Sequence, residues 1–164
     1  MERTFTVDHE LYASSGQRFL NLIVDTVVYY LITFAVLFLI GVIAAILQLD
    51  GVMQWLGNMG DADVYLIFIP VYLLYFVVME TFTSRTVGKF LTKTIVVMED
   101  GSKPSAGTIW KRTFCRLIPF EPLSCMASRG WHDTIPDVYV VKRLEFESAR
   151  ELFYAFEEIG DKSE

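Results

Sequence analysis

Apolar residues along this chain gather into two long blocks instead of alternating with polar ones. The first block runs from Phe19 to Leu49, and between Val27 and Leu47 it has no acidic or basic side chain. At about 1.5 Å per residue that inner stretch measures about 30 Å, the thickness of a bilayer's hydrocarbon layer. The second block runs from Val64 to Phe82 and carries one acid, Glu80, near its end; it too is long enough to cross. A signal peptide needs a charged start, a short apolar core and a small-residue cleavage site. Here about twenty mostly polar residues come first, and the apolar run is far longer, so the first block reads as a retained helix. The expected fold is therefore mainly α: an integral membrane hairpin of two antiparallel transmembrane helices, about 20–48 and 64–83, joined by an outside loop, 49–63.

The pattern then changes. Thr94 to Met98 is β-branched and apolar and ends in Glu99-Asp100-Gly101-Ser102, the signature of a short strand and a turn. Val138 to Val141 is a second strand candidate. Two isolated strands are marginal in water, so a hairpin-like pair packed on neighbouring helices is expected. Between them Ile109, Trp110, Thr113, Phe114, Leu117 and Ile118 recur at helical spacing, with Lys111, Arg112 and Arg116 on the remaining arc. This predicts an amphipathic helix with a basic face, ended by Pro119 and Pro122, lying in the headgroup region or packed on the transmembrane pair. From Glu147 to Ile159, Leu152, Phe153, Phe156 and Ile159 share one side and acids the other, which predicts an acidic amphipathic helix, folded back or offered to a partner.

Charge sets the orientation. Of 14 Lys and Arg residues, Arg3 and Arg18 precede the first helix, none lies between Phe19 and Ser84, and twelve follow. The loop holds Asp50, Asp61 and Asp63 instead. The positive-inside rule puts that loop outside and both termini in the cytoplasm of a cell (inner) membrane. Trp55 and Tyr65 towards the outer side, with Tyr29 and Tyr30 towards the inner, fit an aromatic belt. The cytoplasmic half divides again. Residues 84–143 form a basic region that completes a membrane domain, 1–143, and can rest on anionic lipid; residues 144–164 form an acidic tail that lipid would repel. Cys115 and Cys125 fall in this half, ten apart and without clustered histidines. They read as reduced packing residues, neither a disulfide nor a zinc site.

The candidate chemistry lies at the inner rim, where charges bordering lipid are costly unless paired or hydrated. Arg18 and Asp25 are seven residues apart and share a helix face. Glu80, near the inner end of the second helix, falls at a similar depth, followed by Thr81, Thr83, Arg85 and Thr86. Two accounts fit this rim cluster. It is a structural network in which the acids pair with Arg18, Arg85 or Arg116, or its acids bind or relay a cation or proton. Gly88-Lys89 is not a phosphate-binding loop, which needs Gly at Thr83 and Ser or Thr at Phe90. Instead Gly88 permits a close turn, while Lys89, Lys111 and Arg112 are expected to contact lipid phosphates. His132 and Asp133 are adjacent, a poor arrangement for proton relay, and no nucleophile accompanies them. An enzyme, a metal site, a cofactor and nucleic-acid binding are therefore not expected.

These residues together resemble the RDD family of bacterial membrane proteins, named for one arginine and two aspartates. The resemblance runs from about Gln17 to Val141. It takes in Arg18 opening the first helix, Asp25 within it, Thr86-Val87-Gly88-Lys89, the strand and turn from Ile95 to Gly101, Arg112 or Arg116, His132-Asp133 and Val140-Val141. The acidic tail after Arg143 is not required by that shared pattern. The resemblance implies Arg18, Asp25 and Asp133 as the family-defining polar residues and a role in transport, with sodium/proton exchange suggested for some members.

Two functions follow as expectations. In one, several copies assemble, because two helices cannot enclose a pathway, and Asp25, Glu80 and Asp133, with Arg85, Arg116 and His132 around them, handle a cation or proton. In the other, the chain is a membrane-anchored scaffold that recruits a protein partner through its cytoplasmic half. Expected partners are membrane lipids and either further copies of the chain or another membrane protein.

Overall fold

A computed structural model describes residues 5–119, 124 and 129–161. Arg3, Pro122 and Cys125, named above, lie outside the described residues. The chain is mainly helical. Helix α1 spans Ser15–Ile46, α2 Asp50–Gly57 and α3 Asp61–Thr83. After a short α4, Val87–Thr92, comes strand β1, Thr94–Met98, then α5, Ala106–Cys115. A single turn of helix α6, Trp131–Thr134, leads to β2, Val138–Lys142, and the chain ends in α7, Arg143–Asp161.

Helix α1 starts earlier than its apolar block because Ser14 caps it. The Gln17 amide donates to Ser14 Oγ and the Ser14 amide to Gln17 Oε1, a reciprocal box that satisfies two otherwise orphan donors. At 32 residues it is about 48 Å long, against about 30 Å of hydrocarbon. It is therefore longer than a bilayer span requires, by about the length of its polar first turns. Its burial is inverted relative to a water-facing helix. Arg18, Asn21, Asp25, Tyr29 and Thr33 face inward, while Phe19, Leu31, Phe34 and Phe38 are exposed. Outward apolar and inward polar positions belong to a helix solvated by lipid. Helix α3 repeats this, with Leu66, Leu74 and Phe82 exposed and Tyr75, Phe76 and Glu80 buried. Its first turn carries Asp61 and Asp63, favourable beside a helix N-terminus; Asp63 accepts hydrogen bonds from the Gly60 amide and the Trp55 indole. Both α1 and α3 are long and apolar enough to cross a membrane.

Tyr29 turns inward: it is buried, and its hydroxyl donates to the Phe68 carbonyl of α3 at 3.1 Å. The two strands pair antiparallel, Thr94 opposite Lys142 and Met98 opposite Val138. The Asp100-Gly101 turn, with Gly101 at φ +73°, does not join them as a hairpin; it leads into α5, and β2 returns only after α6. The N-terminal segment extends this layer, since the Val7 amide donates to the Glu99 carbonyl and the Ala13 amide to the Val140 carbonyl. Phe5, Val7, Val97, Val141 and Phe146 form a small core around the strand pair, with Phe153 packed against it. One face of α7 thus folds back onto the strand pair; Leu144, Leu152, Phe156 and Ile159 stay exposed.

Helix α5 divides its faces differently from the sequence reading. Ile109, Arg112 and Thr113 point inward, whereas Trp110 and Phe114 stack on each other at 5.6 Å on the exposed side, next to exposed Lys111. Carboxylates waiting beneath the helix draw Arg112 inward, and the aromatics go outward in exchange.

Candidate ion network and cavity at the helix rim

The N-terminal end of α1, the C-terminal end of α3, α4, α5 and α6 converge at one rim, and most of the buried polar side chains among the described residues meet there. Two carboxyl groups organise it, by different means.

Asp25, on α1, is held by uncharged donors. Its Oδ1 accepts from the Tyr75 hydroxyl at 2.8 Å and the Gly88 amide at 2.8 Å, and its Oδ2 from the Thr86 hydroxyl at 2.5 Å. The Val87 amide donates in turn to Tyr75 Oη. Asp25 thereby ties the start of α4 to both long helices. The approach is so close that only glycine fits at position 88: a Cβ there would sit 2.6 Å from the Asn21 carbonyl oxygen and 2.9 Å from its Cα. One turn towards the start of α1, Asn21 accepts from the Thr92 hydroxyl at 2.6 Å and donates to Thr94 Oγ1 at 3.2 Å, and Arg18 Nε donates to the Ala13 carbonyl.

Glu80, on α3, is held by cations. Its Oε1 lies 3.0 Å from Lys89 Nζ, 2.6 Å from Arg112 Nη1 and 3.2 Å from Arg116 Nη2. Arg112, fully buried, also grips Asp133 with Nε at 2.8 Å and Nη2 at 2.5 Å, so one guanidinium joins α3, α5 and α6. His132 Nε2 lies 3.3 Å from the same Asp133 oxygen. Burial alone would raise the Asp133 carboxyl, but Arg112 foremost, with His132 and Arg116, holds it well below the usual carboxylate range. Burial pushes the Lys89 ammonium below its ordinary value, and Glu80 beside it opposes that shift. The Arg116 guanidinium covers the Phe76 ring at 4.2 Å, a further favourable cation contact.

Between these groups lies a partly open cavity of about 30 Å³, lined by Arg18, Lys89, Arg112, Arg116, Asp25 and Asp133 among others. At roughly 10–15 Å³ per molecule it takes about two waters. No group of three or more His, Cys, Asp or Glu side chains gathers as a metal site among the described residues.

The rim thus collects Arg18, Asp25, Glu80, Arg116, His132 and Asp133, all singled out from sequence, and departs from that reading at three positions. Lys89 and Arg112 do not lie on the exposed surface; both are buried, drawn inward by the carboxylates of Glu80 and Asp133. Arg85 is not in the network. The left-handed turn at Ser84, φ +56°, redirects the chain just before it, and its guanidinium lies 5.3 Å over the Phe90 ring. Lys111 is exposed and remains available to lipid. Asn21 and Tyr75 were missed. Asn21 had a signal, since positions 18, 21 and 25 share a helix face; Tyr75 had none, being an aromatic within an apolar helix.

No curated protein and no solved structure matches the chain. The RDD family model matches residues 12–154, which extends beyond Arg143 into α7 and takes in every residue of the rim. With its two apolar helices the chain is read as a membrane protein, and it belongs to the RDD family.

Proposed function

We propose that this RDD protein sits in the cell (inner) membrane with both ends in the cytoplasm, and that several copies together move a small charged solute across it. The observation that carries this reading is the charge-lined cavity at the rim of two lipid-solvated helices. A buried, partly open site of ionised side chains at the edge of the apolar layer is costly to keep, and such groups in membrane proteins mark solute or ion paths. Two helices cannot surround a path, which is why the reading includes several copies. The absence of Lys and Arg from the α2 region and their abundance after Ser84 support the orientation. Exposed Lys111, Trp110 and Phe114 suit α5 to the headgroup layer.

The test is flux through purified protein in vesicles, with sodium, protons and phosphate each supplied as a gradient. Gradient dissipation above protein-free vesicles supports transport, and no flux of any of the three removes it. Loss of cation flux in a folded Asp25→Asn variant would assign the cargo to the acids. Orientation is checked separately: protease added from the outer side should leave the C-terminus intact.

A second reading, a membrane-anchored scaffold, is favoured by the exposed stripe Leu152, Phe156 and Ile159 on acidic α7. Deleting the whole tail would also remove Phe146 and Phe153 from the core. The cleaner variant is Leu152→Ser with Phe156→Ser. Loss of a recurrent crosslinked partner in that variant supports the scaffold, and an unchanged crosslinking pattern removes it.

A further inference from the structure

The rim cavity does not treat the two signs of charge alike. The two acids of its lining, Asp25 and Asp133, already hold donors. Both oxygens of Asp25 accept hydrogen bonds, and Asp133 Oδ1 lies in the fork of Arg112 with His132 against it. Glu80 is not part of the lining; its Oε1 meets three cations, and its buried Oε2 has no hydrogen-bond partner among the described residues. The cationic side, in contrast, keeps donors in hand. An ammonium has three N–H groups, and Lys89 directs one to Glu80 at 3.0 Å and one, long, to Thr86 at 3.4 Å. Arg112 Nη1 touches Glu80 Oε1 as an ion pair, yet among the described residues it has no acceptor in hydrogen-bonding geometry, although the side chain is fully buried. A buried charged donor held outside hydrogen-bonding geometry is costly. A cation entering here would meet four cationic side chains in the lining and would have to displace donors from Asp25 and from Asp133 Oδ1, whereas an anion meets a lysine and a guanidinium nitrogen that still have hydrogen bonds to give.

We propose that the cavity is a site for a tetrahedral phosphate oxyanion, received by Lys89 Nζ and Arg112 Nη1 with the Arg18 and Arg116 guanidinium groups lining the approach. Planar guanidinium groups match phosphate oxygens in pairs, and the lysine adds a point charge. A space for about two waters admits the inner oxygens of one phosphate group while the rest faces the opening. The phosphate belongs either to the headgroup of a phospholipid at the rim or to free inorganic phosphate; the chemistry of capture is the same. This deepens the transport reading, on which it rests, by changing its cargo class from cation to oxyanion.

The experiment uses the full chain, delipidated in a phosphate-free maltoside detergent. Inorganic phosphate is titrated in one arm and short-chain phosphatidylglycerol in the other, with chloride at matched ionic strength as control and thermal unfolding as the readout. The site predicts a saturable rise in melting temperature absent with chloride. In Lys89→Gln, which keeps a hydrogen-bonding side chain, the half-saturating concentration should rise about tenfold or more, the loss of one charge-assisted bond. Should that variant not fold, Arg18→Gln carries the same expectation. Saturation by phosphate identifies the free ion; saturation by the phospholipid alone identifies a headgroup. No saturable response in the unchanged protein, or an unshifted response in a folded variant, overturns the proposal. Phosphate binding without any flux in vesicles would sink transport and leave the site; cation flux without phosphate binding would do the reverse.

Discussion

Asp25 and Glu80 are buried carboxyl groups at one rim of one helix pair, yet the protein stabilises them in opposite ways. Asp25 is surrounded by a phenol, a hydroxyl and a backbone amide, and Glu80 by an ammonium and two guanidinium groups. The first arrangement fixes backbone: it pins the start of α4 against α1. The second balances charge, because Lys89, Arg112 and Arg116 share the anions Glu80 and Asp133 and lose much of that balance if either goes. The rank of each substitution follows from what is left behind when the carboxyl changes, not from how many bonds it makes.

The largest effect is therefore expected at Glu80. Glu80→Gln keeps the shape but leaves cations buried around a neutral amide, and breaking a buried pair by removing one partner typically costs about 3–5 kcal/mol. Equilibrium unfolding in mixed micelles should show a loss of that size. A loss under about 1 kcal/mol, well below the usual cost of an uncompensated buried charge, would mean that water reaches these cations and that the contrast with Asp25 is false.

Next in size is Gly88→Ala, which tests the backbone half of the comparison. The added methyl meets the Asn21 carbonyl oxygen at 2.6 Å, a backbone atom that cannot swing aside as a side chain would, so α4 must move off α1. Overpacking of this kind costs about 1–3 kcal/mol, and the shift should also loosen the Gly88 amide from Asp25. Faster amide exchange at residues 87–90 is the expected signature; wild-type protection there would show that the approach has slack.

How much of this was legible in the chain depends on which force decided each feature. The two long helices were readable because length and apolarity alone select a bilayer span, and the strands because their β-branched runs had no helical period. The placement of Lys89 and Arg112 was not readable. A basic residue beside a membrane has two partners available, headgroup phosphates outside and carboxylates inside, and one sequence holds no record of which face of α5 turns inward. Once Glu80 and Asp133 lie beneath it, inward wins by proximity. Arg85 escaped for a related reason: four residues from Lys89, it is redirected by a single left-handed residue, Ser84, that carries no sequence signature. Tyr75 shows the limit most plainly, since only the fold tells a hydrogen-bonding phenol from an aromatic that packs.

Asp25→Asn should be milder than either variant above, about 1 kcal/mol. The amide oxygen can still accept from Tyr75 and Gly88, and its NH₂ can donate to Thr86, whose hydroxyl then reverses its role. Chemical denaturation places the variant; a cost as large as that of Glu80→Gln would show that Asp25, too, balances buried cations. The mildness matters for function, because a folded Asp25→Asn protein makes the flux measurement interpretable.

The smallest effect concerns pH. The Asp133 carboxyl is held below its ordinary range by Arg112, against the opposing effect of burial. A group depressed in the folded state contributes stability that is fully present above its unfolded value, about 3.9, and is lost as pH falls through the lower folded value. Between pH 7 and pH 5 the contribution is therefore flat. An unperturbed imidazole changes charge within that window, and one lies 3.3 Å from the carboxylate, on His132, so the comparison belongs in a His132→Gln background. There the gap in melting temperature between Asp133 and Asp133→Asn proteins should be the same at pH 7 and pH 5 and narrow only below about pH 4. A gap already closing at pH 5 would mean that Arg112 does not hold this carboxylate ionised, and the cationic side of the comparison would lose its second anchor.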